Sequence, residues 1–129
     1  MKNLKRLFSS LLAVVMLLAM TTTAFAAVSD TGFSDVAADA WYADAVAYVR
    51  DNGLMSGTGN NTFSPNASTS RAMLAMVLYR LAGSPSVTGN DSYNDTVDGA
   101  WYAEAVLWAS QRGVISGYGG GLFGTDDPV

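Results

Sequence analysis

The sequence contains no cysteine and no histidine. Without thiols there can be no disulfide staple. Without thiolate or imidazole a zinc, haem or iron–sulfur site is all but excluded. Stability must therefore come from packing, in a chain of 129 residues. Cations are also scarce: beyond the first six residues there are four arginines, Arg50, Arg71, Arg80 and Arg112, against eleven acids. A surface so acidic repels nucleic acid, whose binding rests on phosphate neutralisation. Any anion that binds must be met by one of these few guanidinium groups.

A long apolar run is missing as well. Leu11 to Met20 is apolar over ten residues, where a membrane-spanning helix needs about twenty. Lys2, Lys5 and Arg6 precede that run, and Ala24-Phe25-Ala26 stands before Ala27. Basic, apolar and small-residue regions in this order form an export signal. Cleavage is expected between Ala26 and Ala27, with no membrane contact afterwards. About 103 residues then remain, enough for one small domain that buries roughly two thirds of its unfolded surface.

What is present is an internal repeat at an offset of sixty residues. Trp41-Tyr42-Ala43 returns as Trp101-Tyr102-Ala103, Asp35 as Asp95, Ala45-Val46 as Ala105-Val106, Gly53 as Gly113, Ser56-Gly57 as Ser116-Gly117 and Phe63 as Phe123. Between residues 33–69 and 93–129 there are twelve identities in thirty-seven without a gap, too many for coincidence. Gly83 to Ser92 is rich in Gly, Ser, Pro and Asn and reads as a connector.

One repeat reads as a helix, a glycine-rich turn and a second helix. Asp39 is a cap for the first helix, with Gly99 in its place in the second copy. Trp41, Ala45, Tyr48 and Val49 form a stripe at helical spacing, with Asp44 and Asp51 turned away. Gly53 and Gly113 sit where a left-handed residue ends a helix. Residues 57–61 form a turn. Ser70 caps a second helix that runs through Leu81 and stops at Gly83 and Pro85. That helix is apolar over most of its circumference, which suits a bundle of several repeats.

Phe33-Ser34-Asp35-Val36, Trp41 to Val46, Gly53-Leu54-Met55-Ser56-Gly57, Phe63-Ser64-Pro65, Ser70-Arg71-Ala72 and Leu78-Tyr79-Arg80-Leu81, in this order and spacing, resemble an S-layer homology repeat. The resemblance implies an all-α fold of helical repeats that form part of a pseudo-threefold helical prism, incomplete in this chain. It implies a signal peptide over 1–26, a short segment over 27–32, a first repeat over 33–85, a linker over 86–92 and a second repeat over 93–129. The family's Thr-Arg-Ala-Glu is Ser70-Arg71-Ala72-Met73 here, so the hydroxyl cap is kept and its reciprocal carboxylate is lost. The partners of Ser70 and Arg71 in the second copy would fall at 130 and 131, so the second repeat reads as truncated before its second helix.

The implied function is not enzymatic. It is non-covalent anchoring of an exported protein to the cell wall, through secondary cell-wall polysaccharide that carries a pyruvylated sugar, with no cofactor. Two alternatives stand beside it: a module for self-association within an S-layer, and the anchor of a larger secreted polysaccharide-degrading enzyme. Arg71 is the first candidate for ligand contact, a planar guanidinium at a helix start suited to a carboxylate. Ser70 stands beside it. Trp41 and Trp101 belong either to the core or to a sugar-stacking surface. Asp35 and Asp95 organise a turn or, secondarily, accept from sugar hydroxyls. Arg50 and Arg80, on helix bodies, read as solvated. Gly117 to Gly121 is no phosphate loop, since neither a lysine nor a helix follows. The acids show neither glycosidase nor calcium-loop spacing, and no metal is expected.

Overall fold

The computed structural model describes residues 30–129. The export segment and its cleavage site, Ala26–Ala27, lie outside them. Three helices follow in order: α1 (Ala43–Asp51), α2 (Arg71–Leu81) and α3 (Ala103–Gln111). Among the described residues there are isolated β-bridges and no named strand. The chain is thus helix-containing and compatible with the all-α expectation.

Ser70 caps α2 as its residue type suggests, its hydroxyl accepting the Met73 N–H at 3.3 Å. The first helix of each copy begins differently. Asp39 does not cap α1, and Gly99 does not cap α3. Successive tight turns, Ala40 N–H to the Ala37 carbonyl and Ala43 N–H to the Ala40 carbonyl, carry the chain past Asp39 before α1 starts. The N-cap positions are Tyr42 and Tyr102, with no side-chain bond at either. Gly53 and Gly113 adopt φ of +66° and +65° after the helices, as expected of left-handed terminators.

The 57–61 turn is a tight hairpin. Thr58 N–H donates to the Thr62 carbonyl, and Tyr118 N–H to the Leu122 carbonyl. The two central residues are left-handed in both copies, Asn60 and Asn61 in one and Gly120 and Gly121 in the other. Asparagine and glycine are the residues that tolerate that geometry. Gly117 is needed for another reason: a Cβ there would lie 2.5 Å from both the Tyr93 ring and the Leu122 carbonyl.

The larger core lies between the repeats. α2 packs on α3, and Ala75, Tyr79, Ala105, Val106, Trp108, Ala109 and Phe123 are buried together. Tyr79 and Trp108 meet with centroids 5.7 Å apart. A smaller cluster, Val36, Ala43 and Val46 with Phe33 and Phe63 against it, belongs to the first repeat alone. The Trp41, Ala45, Tyr48 and Val49 stripe is not a core stripe. Trp41 is 94% exposed and Tyr48 62% exposed, because no described helix covers that side of α1.

Candidate functional site

Each repeat is closed by its aspartate. The Asp35 carboxylate accepts the Phe63 and Ser64 N–H groups, both at 2.7 Å. The Asp95 carboxylate accepts those of Phe123 and Gly124 at 2.8 and 2.6 Å. The Phe63 N–H bond, with that of Ser64, holds the Asp35 carboxyl below its ordinary range, against an opposing effect of desolvation. At Asp95 burial pushes upward, yet the N–H groups of Phe123 and Gly124 outweigh it and the carboxyl again lies low. Both carboxylates therefore clasp the repeat's entry to its loop exit. Oxygen lone pairs beyond these bonds are what each has left for a sugar hydroxyl.

Arg71 sits at the seam between repeats. Its backbone N–H and that of Ala72 donate to the Asp127 and Thr125 carbonyls at 2.9 and 3.1 Å. These are helix-start N–H groups that have no partner within the helix. The guanidinium donates from Nε to the Phe123 carbonyl at 2.9 Å and from Nη2 to the Ser116 carbonyl at 2.7 Å. It lies 4.4 Å from the Tyr118 ring centroid and 5.1 Å from that of Phe123. Two of its five N–H donors are thus used on the neighbouring loop.

On the opposite side of α2 lies a half-open groove of about 370 Å³. Ser56, Gly57 and Thr58 of the first loop, Met73, Met76 and Arg80 of α2, and Trp101 border it. Arg80 follows Arg71 by nine residues, two and a half helical turns, so the two arginines face opposite ways. Arg80 is not a solvated side chain: it is half-buried and donates to the Leu54 carbonyl at 3.2 Å. The nine-residue spacing was the signal that could have singled it out. Arg50 is likewise engaged, by the Asp30 carbonyl and Asp51.

Trp41 and Trp101 belong to the surface and not to the core. Trp101 is 58% exposed at the lip of the groove, edge-on to Tyr102 with centroids 5.2 Å apart. Trp41 repeats that arrangement with Tyr42 at 5.4 Å and does not border the groove that Trp101 borders. The groove thus collects Trp101 and Arg80, while Arg71 and Ser70 stand at the seam with the second loop. Asp35 and Asp95 stand at the loop exits. Among the described residues no group of acids is placed to hold a metal ion, and no helix is long and apolar enough to cross a membrane.

The S-layer homology domain matches residues 32–73 and 92–129. The chain is 28% identical over 118 residues to the S-layer protein sap of Bacillus anthracis, covering 89% of this chain and 14% of that protein. It is 28% identical over 90 residues to an amylopullulanase of Thermoanaerobacterium thermosulfurigenes, covering 70% of this chain and 5% of that enzyme. Over 49 residues it is 43% identical to the surface-layer 125 kDa protein of Lysinibacillus sphaericus, covering 38% of this chain and 4% of that protein. The chain therefore spans only a small part of each of these relatives, and what it shares with the enzyme among them is a small fraction of that enzyme. With two matched segments over most of its length, the chain belongs to the S-layer homology domain family and to the secreted, cell-wall or S-layer-associated proteins that carry it.

Proposed function

We propose that this chain holds an exported protein on the cell wall by binding secondary cell-wall polysaccharide that carries a pyruvylated sugar. The observation that carries the reading is the groove at the repeat junction, where one exposed tryptophan and one half-buried arginine border the same space. Trp101 offers a ring to the apolar face of a sugar, and Arg80 a planar cation to the pyruvyl carboxylate. Arg71 serves the same chemistry at the second loop with the N–H groups its carbonyl partners leave over. Asp35, Asp95 and Ser70 act through the shape of the loops and the helix start. Trp41 repeats Trp101 for a groove made with a further repeat.

That further repeat is part of the proposal. The uncovered side of α1 matches, position for position, the side of α3 on which α2 packs. This supports closure of three repeats into a pseudo-threefold prism. The same uncovered side favours a second reading, self-association between chains of this kind, and light scattering that finds a folded monomer counts against it.

Retention on purified cell wall, before and after mild acid removes pyruvate, tests the ligand. The secreted chain is expected to bind the untreated wall and to lose most of that binding after acid. Trp101→Ala and Arg80→Gln are expected to weaken retention about tenfold each, as loss of a stacked ring or a charge-assisted hydrogen bond does. Equal retention on treated and untreated wall overturns the pyruvyl assignment.

A further inference from the structure

The export segment apart, the chain holds three methionines and no cysteine, so Met55, Met73 and Met76 carry all of its remaining sulfur. All three line one groove, the one that Trp101 and Arg80 border. Met73, Met76 and Arg80 follow one another on α2 at spacings of three and four residues, which places them on a single stripe of that helix. Met55 reaches the same space from the segment after α1. Methionine is common in cores as an adaptable filler, but none of these three is buried. Met73 is 37% exposed, and Met55 and Met76 are half-buried. Only Met76 also packs against the core between the repeats. At the position of Met55 the second repeat has Ile115, which carries no sulfur and packs on that core. Met73 stands where the family's motif has its glutamate, so the cluster is a feature of this chain and not of the motif.

We propose that Met73, Met55 and Met76 form an oxidation site, at which hydroperoxides convert thioethers to sulfoxides and loosen the chain's hold on its ligand. The effect on the ligand rests on the reading that this groove holds the wall polymer. In each step a lone pair on sulfur attacks one peroxide oxygen, and the S–O bond forms as the O–O bond breaks. The other oxygen takes up a proton and leaves as water or an alcohol. Sulfur loses two electrons and the peroxide gains them. An exported chain works beyond the reducing cytosol. With no thiol on it, the thioethers are the groups that a hydroperoxide oxidises first. Exposure sets the order: Met73 reacts first, then Met55, and Met76 last because the core shields it. A sulfoxide turns a flexible apolar side chain into a polar one, against a lining that includes Leu54, Phe63 and Val77. Its oxygen is also an acceptor on the stripe that ends in Arg80. That guanidinium gives one of its five N–H donors to the Leu54 carbonyl, and the sulfoxide competes with a ligand carboxylate for the others.

The test exposes the secreted chain to graded hydrogen peroxide and maps oxygen addition at each methionine by mass spectrometry, alongside retention on untreated cell wall. Sulfoxide is expected at Met73 before Met55 and Met76, and retention should fall about three- to tenfold as it accumulates, as loss of thioether contacts does. Reductases for the two sulfoxide epimers, added together, should restore the thioether and the retention. Met73→Leu, compared with its own retention before peroxide, should lose most of the sensitivity. In the isotope-labelled chain the Trp101 indole N–H should shift on oxidation, while that of Trp108, inside the core, should stay in place. Retention that holds constant while Met73 sulfoxide forms overturns the proposal, as does an equal fractional loss in Met73→Leu. Oxidation that begins at Met76, or that moves Trp108 together with Trp101, overturns it as well, since the loss would then be damage to the core. A chain that fails to bind the wall before any peroxide is added refutes the anchoring reading instead. The order of oxidation and the Trp101 shift, which need no ligand, then decide the oxidation site.

Discussion

α1 and α3 hold the same place in their repeats and share Ala45-Val46 with Ala105-Val106, yet they live in different surroundings. Ala105 through Ala109 are all buried. Of the matching positions in α1 only Val46 is, and Tyr48 is 62% exposed where Trp108 is 8% exposed. The difference is α2, which packs on α3 and has no counterpart on α1 among the described residues. A repeat of this type supplies one wall of a core, and its neighbour supplies the other. The two loops show the same contrast, since Arg71 bonds to the second and not to the first.

The sharpest test of this contrast uses the shared phenylalanine. Phe123 is wholly buried between the repeats, whereas Phe63 is half-buried in the small first cluster. Phe123→Ala should cost about 3–5 kcal/mol, enough to unfold most of a domain of this size, and Phe63→Ala clearly less. Urea unfolding followed by tryptophan fluorescence separates them. Equal losses would mean that the first repeat has a core as complete as the second.

Arg71→Gln comes next in size. It removes two charge-assisted bonds to the Ser116 and Phe123 carbonyls and a stacked cation, and leaves both carbonyls without their partner. The expected cost is about 1.5–3 kcal/mol. It should appear as faster amide exchange at Arg71 and Ala72, whose N–H groups bridge to the second loop, with the small first cluster untouched. Loss of protection spread evenly over both repeats would show that the seam is not a separate unit.

Much of this is legible in the sequence, and the parts that are not share a cause. The sixty-residue repeat, the Ser70 cap, the glycines that end α1 and α3 and the hairpin turn are fixed within a few residues of themselves. The start of α1 escapes such a reading because Asp39 is a good cap by type, while two tight turns delay the helix to Ala43. The Trp41, Ala45, Tyr48 and Val49 stripe is a real face, but periodicity says that a face exists and not what covers it. Arg71 stands out by its motif, yet its partners lie 45 and 52 residues away. The groove that gathers Arg80 and Trp101 likewise joins three separate segments. Sites assembled across a repeat seam are therefore the least visible in one repeat's sequence.

The smallest expected effect concerns acid, and it compares the two clasps. Both Asp35 and Asp95 titrate below the ordinary carboxylate range when folded. A depressed folded value means that the unfolded chain binds protons first as pH falls. The stability each clasp contributes is therefore complete above the unfolded range, about 3.9, and is lost as pH falls through the folded value. The two should not weigh alike. Asp35 is exposed and its bonds brace a half-buried Phe63, whereas Asp95 is half-buried and its bonds fix the amide of wholly buried Phe123. Urea midpoints measured from about pH 6 down to about pH 2.5 should decline in the native chain. Asp95→Asn should start lower and decline less, and Asp35→Asn should do the same by a smaller amount. An amide has one oxygen where two N–H groups wait, so each variant leaves one of them unpaired at every pH. If the two variants keep the native slope, the acid sensitivity belongs to other carboxylates and the clasps are equal after all.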